Sequence, residues 1–188
     1  MREMISLEEA QNLTLKLVEP LETAQVSLHI ALNRVLAEDV YSDVNVPPFD
    51  RSPLDGYAVR AEDTSEARTN APVLLEVIEE VPAGYVASKQ LTTRSAIKIM
   101  TGAPIPHGAD TVIRFEDITV EGNRVGIRTP LNSRDNISQA GEDIAIGSLL
   151  LAKHTTLNAA AIGLLASIGK SLIPVVRKPR SAEIFTRV

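Results

Sequence analysis

The chain has 188 residues, 44% of them hydrophobic, which is enough to bury a sizeable core in one domain or two small ones. Only 3% are aromatic, none is tryptophan, and 19 Lys and Arg against 24 Asp and Glu leave a net charge of -5, so a base-stacking, phosphate-neutralising surface is excluded and no nucleic-acid partner is expected. Cysteine is absent, which removes disulfides and thiolate chemistry, and no signal peptide or membrane-length apolar run is present; a cytoplasmic protein without a membrane partner is expected.

Ser6 opens a capping box with Glu9, and Ala10, Leu13 and Leu17 recur at helical spacing until Pro20 stops the run. A second short helix is predicted to carry Leu28, Leu32, Val35 and Leu36 on one face, with His29 packing beside that stripe and 38–46 leaving as an extended arm. In the segment Pro47 to Arg60, three prolines pre-order a loop that presents Asp50, Ser52 and Asp55. Asp55-Gly56 reads as a tight turn and Tyr57-Ala58-Val59 as a strand. Short β-like runs follow at 73–78, 96–100, 111–118 and 124–128, separated by Pro, Gly and Asn. Residues 148–151 read as a strand, 157–168 as a helix closed by Gly169, and 173–176 as a last strand.

Some motifs carry no chemistry. Gly169-Lys170-Ser171 looks like the end of a phosphate-binding loop, but the required first glycine is Leu164 and the intervening residues are apolar helix. His29, His107 and His154 lack zinc-site spacing, and no GxSxG elbow supports a hydrolase. What stands out is oxygen donors at three turns: Asp50, Ser52 and Asp55; Thr101 beside Gly102; and Glu142 with Asp143. Carboxylates and hydroxyls suit a hard cation such as magnesium, and the Thr101-Gly102-Ala103-Pro104 turn could aim N–H groups and a hydroxyl at an anion. Each turn, taken alone, is equally readable as a structural one.

Residues 47–60 closely resemble the signature PPFDxSxxDGYAVR of the molybdopterin molybdenumtransferases, the family of bacterial MoeA and the gephyrin E domain. Thr101 to Pro106 with Gly108 to Ile113 resembles the family's TGAPxPxGADxVV block, and Asn136-Ile137 with Gly141 to Ile144 its NIRxxGEDI block. The resemblance spans nearly the whole chain. It implies an α+β fold, elongated, with coiled or bifurcated β-sheets, a β-rich inserted subdomain and a few short helices. Residues 1–46 and 139–178 would form the dimerising subdomain, 47–138 the inserted one, and 179–188 a remnant of the junction to a large domain that this sequence does not continue into.

By the same resemblance the full enzyme acts in molybdenum cofactor biosynthesis, inserting molybdate into adenylylated molybdopterin with magnesium assisting and AMP released. Asp55, Thr101 and Asp143 would be catalytic: Asp55 orienting a magnesium ion or its water, Thr101 donating to a substrate oxygen, and Asp143 holding the loop or the metal. Asp50, Ser52, Gly56, Gly102 and Glu142 would bind substrate, with Asp50 and Ser52 also positioning Asp55. Family members are elongated homodimers whose cleft joins the β-rich subdomain of one protomer to the large domain of its partner, so this chain would supply half a cleft and be inactive in isolation unless another chain brings the rest. Ser138 stands where the family usually has arginine, which removes a planar cationic fork suited to oxyanions. A non-catalytic dimerisation or scaffold module is the alternative.

Overall fold

In chain order the elements are α1 (Leu7–Leu15), β1 (Thr23–Ser27), β2 (Val40–Tyr41), β3 (Gly56–Val59), β4 (Val73–Val81), β5 (Ser95–Ile99), β6 (Thr111–Arg114), β7 (Ile118–Glu121), β8 (Arg124–Ile127), β9 (Leu149–Leu151), α2 (Ala159–Ser167) and β10 (Leu172–Val176). They come from a computed structural model that describes residues 5–19 and 21–179. The fold is rich in sheet and poor in helix, in keeping with the α+β expectation. The chain divides into two units, one from Met1–Ser42 with Leu149–Val188 and one from Asp43–Ser148. The boundaries thus fall at 42/43 and 148/149 rather than at 46/47 and 138/139. The reason is main-chain pairing: Val46 bridges Ile144, and Gly141 N–H donates to Pro47 O, so 43–46 and 139–148 pair with each other inside the inserted unit. Residues from 180 onward, read above as a junction remnant, lie outside the described residues.

In the first unit, Ser6 caps α1 by accepting the Glu9 N–H at 3.1 Å, as the capping pattern predicts. None of the α1 residues is buried, and Leu7 and Leu15 lie open. β1 pairs antiparallel with β10 and β2 with β9. Asn158 caps α2 through the Ala161 N–H, and Gly169, at positive φ, follows its end with its N–H on Ala166 O. The same glycine was the supposed phosphate-loop residue; here it terminates a helix. Leu36, Leu157, Leu165, Ile173 and Val175 form the core of this unit.

The second predicted helix does not form. Only one 3-10 turn appears, Leu28–Ile30, after which Asn33 takes a positive φ and Leu36 bridges Val175. Donation from Leu36 N–H to Thr155 O and from Asn33 N–H to Leu157 O ties the segment to distant backbone in place of its own turn. The predicted stripe is therefore split: Leu36 is fully buried, whereas Leu32 is 51% exposed. His29 is exposed, so its assignment to packing is corrected as well.

The second unit is built on a six-stranded sheet, order β6-β3-β5-β4-β8-β7, antiparallel except for β4 beside β5. Period-two alternation sends Tyr57, Val59, Ala96 and Ile113 to one apolar cluster and Ala58, Ile97, Ile99 and Val112 to another. β3 is buried along its whole length because strands flank both edges and side chains cover both faces. The single strand predicted over 111–118 is instead β6, a 3-10 turn at Phe115–Asp117, and β7. The Phe115 ring packs edge-on to Tyr57 with centroids 5.3 Å apart, and Arg114 pairs with Asp117 at 3.0 Å, which holds the turn.

The core assignment is tested by truncation. Leu36→Ala is expected to cost about 2–5 kcal/mol through lost burial and a residual cavity, and Leu32→Ala less than about 1 kcal/mol because its side chain stays largely in water. Urea midpoints at equal m-values measure both; equal losses would contradict the burial described here.

Candidate active site

The prolines before and within Asp50 to Asp55 do not act alone, because the loop is fastened by main-chain bonds on two sides. Ser52 N–H donates to Ala103 O at 3.0 Å and Ser52 O accepts from Gly102 N–H at 2.8 Å, while Ile105 N–H reaches Asp50 O at 2.9 Å. On the other side Arg51 exchanges both of its main-chain bonds with Ser138, each 2.9 Å. The three motifs, separated by as many as 90 positions, thus meet on one backbone scaffold.

Asp55 is exposed and projects from that scaffold just before β3. Its Oδ1 accepts two bonds from one residue, Thr101 N–H at 2.7 Å and Thr101 Oγ1–H at 2.8 Å. The Thr101 main-chain donor, and after it the Thr101 hydroxyl, holds the Asp55 carboxyl below its ordinary value. Among the described residues nothing bonds to Oδ2, so one oxygen is fixed and the other is available. Gly56, the next residue, is required by space: a Cβ there would sit 2.1 Å from Ile113 O, inside the β3–β6 ladder. Its place is therefore structural, and it holds Asp55 at the sheet end.

The Thr101 turn differs from the anion nest read from sequence. Thr101 N–H goes to Asp55, Gly102 N–H to Ser52 O and Ala103 N–H to Met100 O, which spends all three donors inside the protein. Gly102 has φ +84 and open space where a Cβ would point, so it is there for its backbone conformation. Thr101 Oγ1 retains acceptor capacity while its proton serves Asp55.

Asp50 is committed on both oxygens: Oδ1 accepts Ala140 N–H at 2.8 Å and Oδ2 pairs with Arg134 at 3.3 Å. Arg134 escaped sequence reasoning because it lies 84 positions away and in none of the motifs. Ser52 is fully buried, and its hydroxyl is used up locally, donating to Leu54 O and accepting Leu54 N–H at 3.3 Å. Both residues shape the loop: Ser52 is closed off from solvent, and Asp50 borders an open depression with both oxygens already engaged. Beside Asp50 runs a depression of about 540 Å³ walled by Val86, Ile105, Pro106 and His107.

Glu142 accepts from Ser138 Oγ and from Gln139 N–H at 2.9 Å, and the Ser138 bond, more than the Gln139 one, lowers its carboxyl pKa. A serine hydroxyl thereby closes the turn. Asp143 is exposed; its N–H donates to Val46 O at 3.0 Å, and its carboxylate makes no hydrogen bond among the described residues. Asp55 and Asp143 belong to no group of three or more His, Cys, Asp or Glu able to hold a metal among the described residues. Among the described residues neither carboxylate has a ready-made ligand set, so a magnesium ion at either would need further oxygen donors from substrate or water.

Residues 5–169 match the family described as MoeA N-terminal region (domain I and II). The chain belongs to that family. It is 46% identical over 169 residues to the molybdopterin molybdenumtransferase of Bacillus subtilis (strain 168), covering 88% of this chain and 39% of the relative. The molybdopterin molybdenumtransferase of Staphylococcus epidermidis is 37% identical over 185 residues, 98% of this chain and 44% of the relative. The crystal structure of the molybdopterin biosynthesis moeA protein from Pyrococcus horikoshii OT3 superposes with a TM-score of 0.86 at 42% identity, over 92% of this chain and 46% of that one. The chain thus spans less than half the length of these MoeA relatives. No helix among the described residues is long and apolar enough to cross a membrane.

The Asp55–Thr101 geometry fixes a pH response. With its folded-state pKa lowered, the Asp55 carboxylate contributes stability above its ordinary value of 3.8, and that contribution is lost as pH falls through the lower folded value. Thr101→Val removes the hydroxyl donor and keeps the N–H, so the Asp55 pKa should rise yet remain below 3.8. Carboxyl carbon-13 shifts followed against pH read this directly; an unmoved titration would mean the hydroxyl does not hold Asp55.

Proposed function

We propose that this chain forms part of the active site of a molybdopterin molybdenumtransferase, an enzyme that inserts molybdate into adenylylated molybdopterin and releases AMP. The observation that carries the reading is the Asp55–Thr101 pair: an ionised carboxylate, anchored through one oxygen and open through the other, at the meeting point of three motif loops. The names of the relatives and the extent of the match support it. The reaction requires an oxyanion to be held beside a dithiolene while a phosphoanhydride is cleaved, which is a task of positioning and fixed charge. Asp55 supplies the charged group, Thr101 fixes it and offers its hydroxyl oxygen, and Asp143 stands exposed on the third motif loop. Magnesium would be shared between the substrate's phosphates and the Asp55 or Asp143 carboxylate, since it commonly binds through one or two carboxylates plus phosphate oxygens.

The rest of the cleft would come from a large domain, whether on the same polypeptide or another, and from a second protomer. Homodimerisation is part of the proposal; the exposed Leu7, Leu15, Leu17 and Val18 support it as an apolar surface beyond what a lone helix needs. The scaffold alternative keeps the same fold without turnover.

Two measurements separate the readings. In the enzyme assembled with its large domain, Asp55→Asn should lower molybdate insertion by about 10²-fold or more, with only a small fall in denaturant midpoint, because an amide oxygen still accepts from Thr101 and only the charge-assisted part of those bonds is lost. A sharp fall in midpoint with normal turnover per folded molecule would make Asp55 a turn-former and favour the scaffold. Sedimentation of the isolated chain at tens of micromolar should show a dimer; a monomer would remove the dimerisation part of the proposal.

A further inference from the structure

Lys98 lies in β5 opposite Tyr57 of β3 and Glu80 of β4. Alternation puts it on the face that carries Tyr57, Ala96 and Ile113. Asp55 shares that face: it precedes Tyr57 by two residues, and its carbonyl accepts from Phe115 N–H at 3.4 Å, continuing the β3–β6 ladder one step further. In such a register Lys98 and Asp55 are diagonal neighbours, a spacing of roughly 7–8 Å with the Cβ atoms somewhat nearer.

The ammonium group is held from two sides. Nζ donates to Glu80 Oε1 at 2.7 Å and sits 5.6 Å from the centre of the Phe115 ring, which is itself braced on Tyr57. The Glu80 bond raises the Lys98 pKa, outweighing partial desolvation, so the charge persists throughout the physiological range. Glu80 takes one of the three N–H donors, and the side chain is 27% exposed. An exposed lysine ordinarily spends its freedom in water; this one is a pre-positioned cation with donors to spare.

A phosphate-bearing ligand at the Asp55–Thr101 turn would meet a carboxylate, and a fixed positive charge on the same face offsets that repulsion. Two cations lie on the strands flanking β3. Arg114, opposite Gly56, belongs to the other face with Val112 and is engaged by Asp117. Lys98 is on the right face. We propose that Lys98 is a substrate-binding residue whose ammonium group receives a phosphate oxygen of the ligand held at the Asp55–Thr101 turn. This rests on the phosphate-bearing substrate of the proposed function. A surface ion pair with Glu80 is the competing role, and it predicts that removing either partner has the same effect.

Adenosine 5′-monophosphate is the probe, titrated to millimolar concentration into the 188-residue chain while NMR follows the Lys98 side chain and the Thr101 amide. Both signals should shift in the wild type. Lys98→Met should weaken binding about tenfold, and Lys98→Arg should stay within about threefold. Glu80→Gln, which keeps an amide oxygen to accept from Nζ and removes only the carboxylate charge, should stay within about threefold of the wild type. If Lys98→Met binds equally well with Thr101 still responding, the Lys98 assignment falls and the proposed function stands. If Glu80→Gln weakens binding as much as Lys98→Met, the ion pair is the real role and the assignment again falls. If neither wild-type signal moves, both the phosphate site and this assignment are overturned.

Discussion

The main-chain strap at Asp50, Arg51 and Ser52 is the constraint on which the site depends. Three consecutive residues give backbone partners to Ile105, Ser138, Gly102 and Ala103, so the second and third motif loops are each registered against the first. Without that strap the three turns would be independent surface loops, and the Asp55 carboxylate would have nothing to align it. The sheet supplies the other half of the rigidity. β3 leaves the strap directly, is buried along its length, and admits no side chain at Gly56, which leaves Asp55 little room to wander from the sheet end.

Much of this architecture could be read from residue order, for reasons that differ by element. The Ser6 cap, the Gly169 stop and the runs that became β4, β5 and β8 are local signals, and local signals transfer well to structure. The 28–36 segment has helical spacing too, yet distant carbonyls at Thr155 and Leu157 take its N–H groups, and tertiary pairing overrides the local pattern. The break at Phe115 was invisible for a similar reason, since the Tyr57 ring that it packs against lies on another strand.

The site divides in the same way. That Asp50, Ser52, Asp55, Thr101, Glu142 and Asp143 belong to a common architecture was legible from the motifs. What each atom does was not. Donors that looked aimed at a ligand, the N–H groups of Thr101, Gly102 and Ala103, turn out to be consumed within the fold, and Asp50 proves to be a fastening between Ala140 and Arg134. A sequence names donors and acceptors but not their partners, and only the partners decide which oxygen is left for chemistry.

The exchange between Arg51 and Ser138 runs entirely through peptide groups. Peptide groups are the one part of a residue that mutation leaves in place, proline excepted. A change of side chain at position 138 would break the Ser138–Glu142 contact yet leave this main-chain lacing in place. This separates the shape of the loop, carried by peptide groups, from its chemistry, carried by side chains, so that polarity beside the strap can change without the frame being rebuilt.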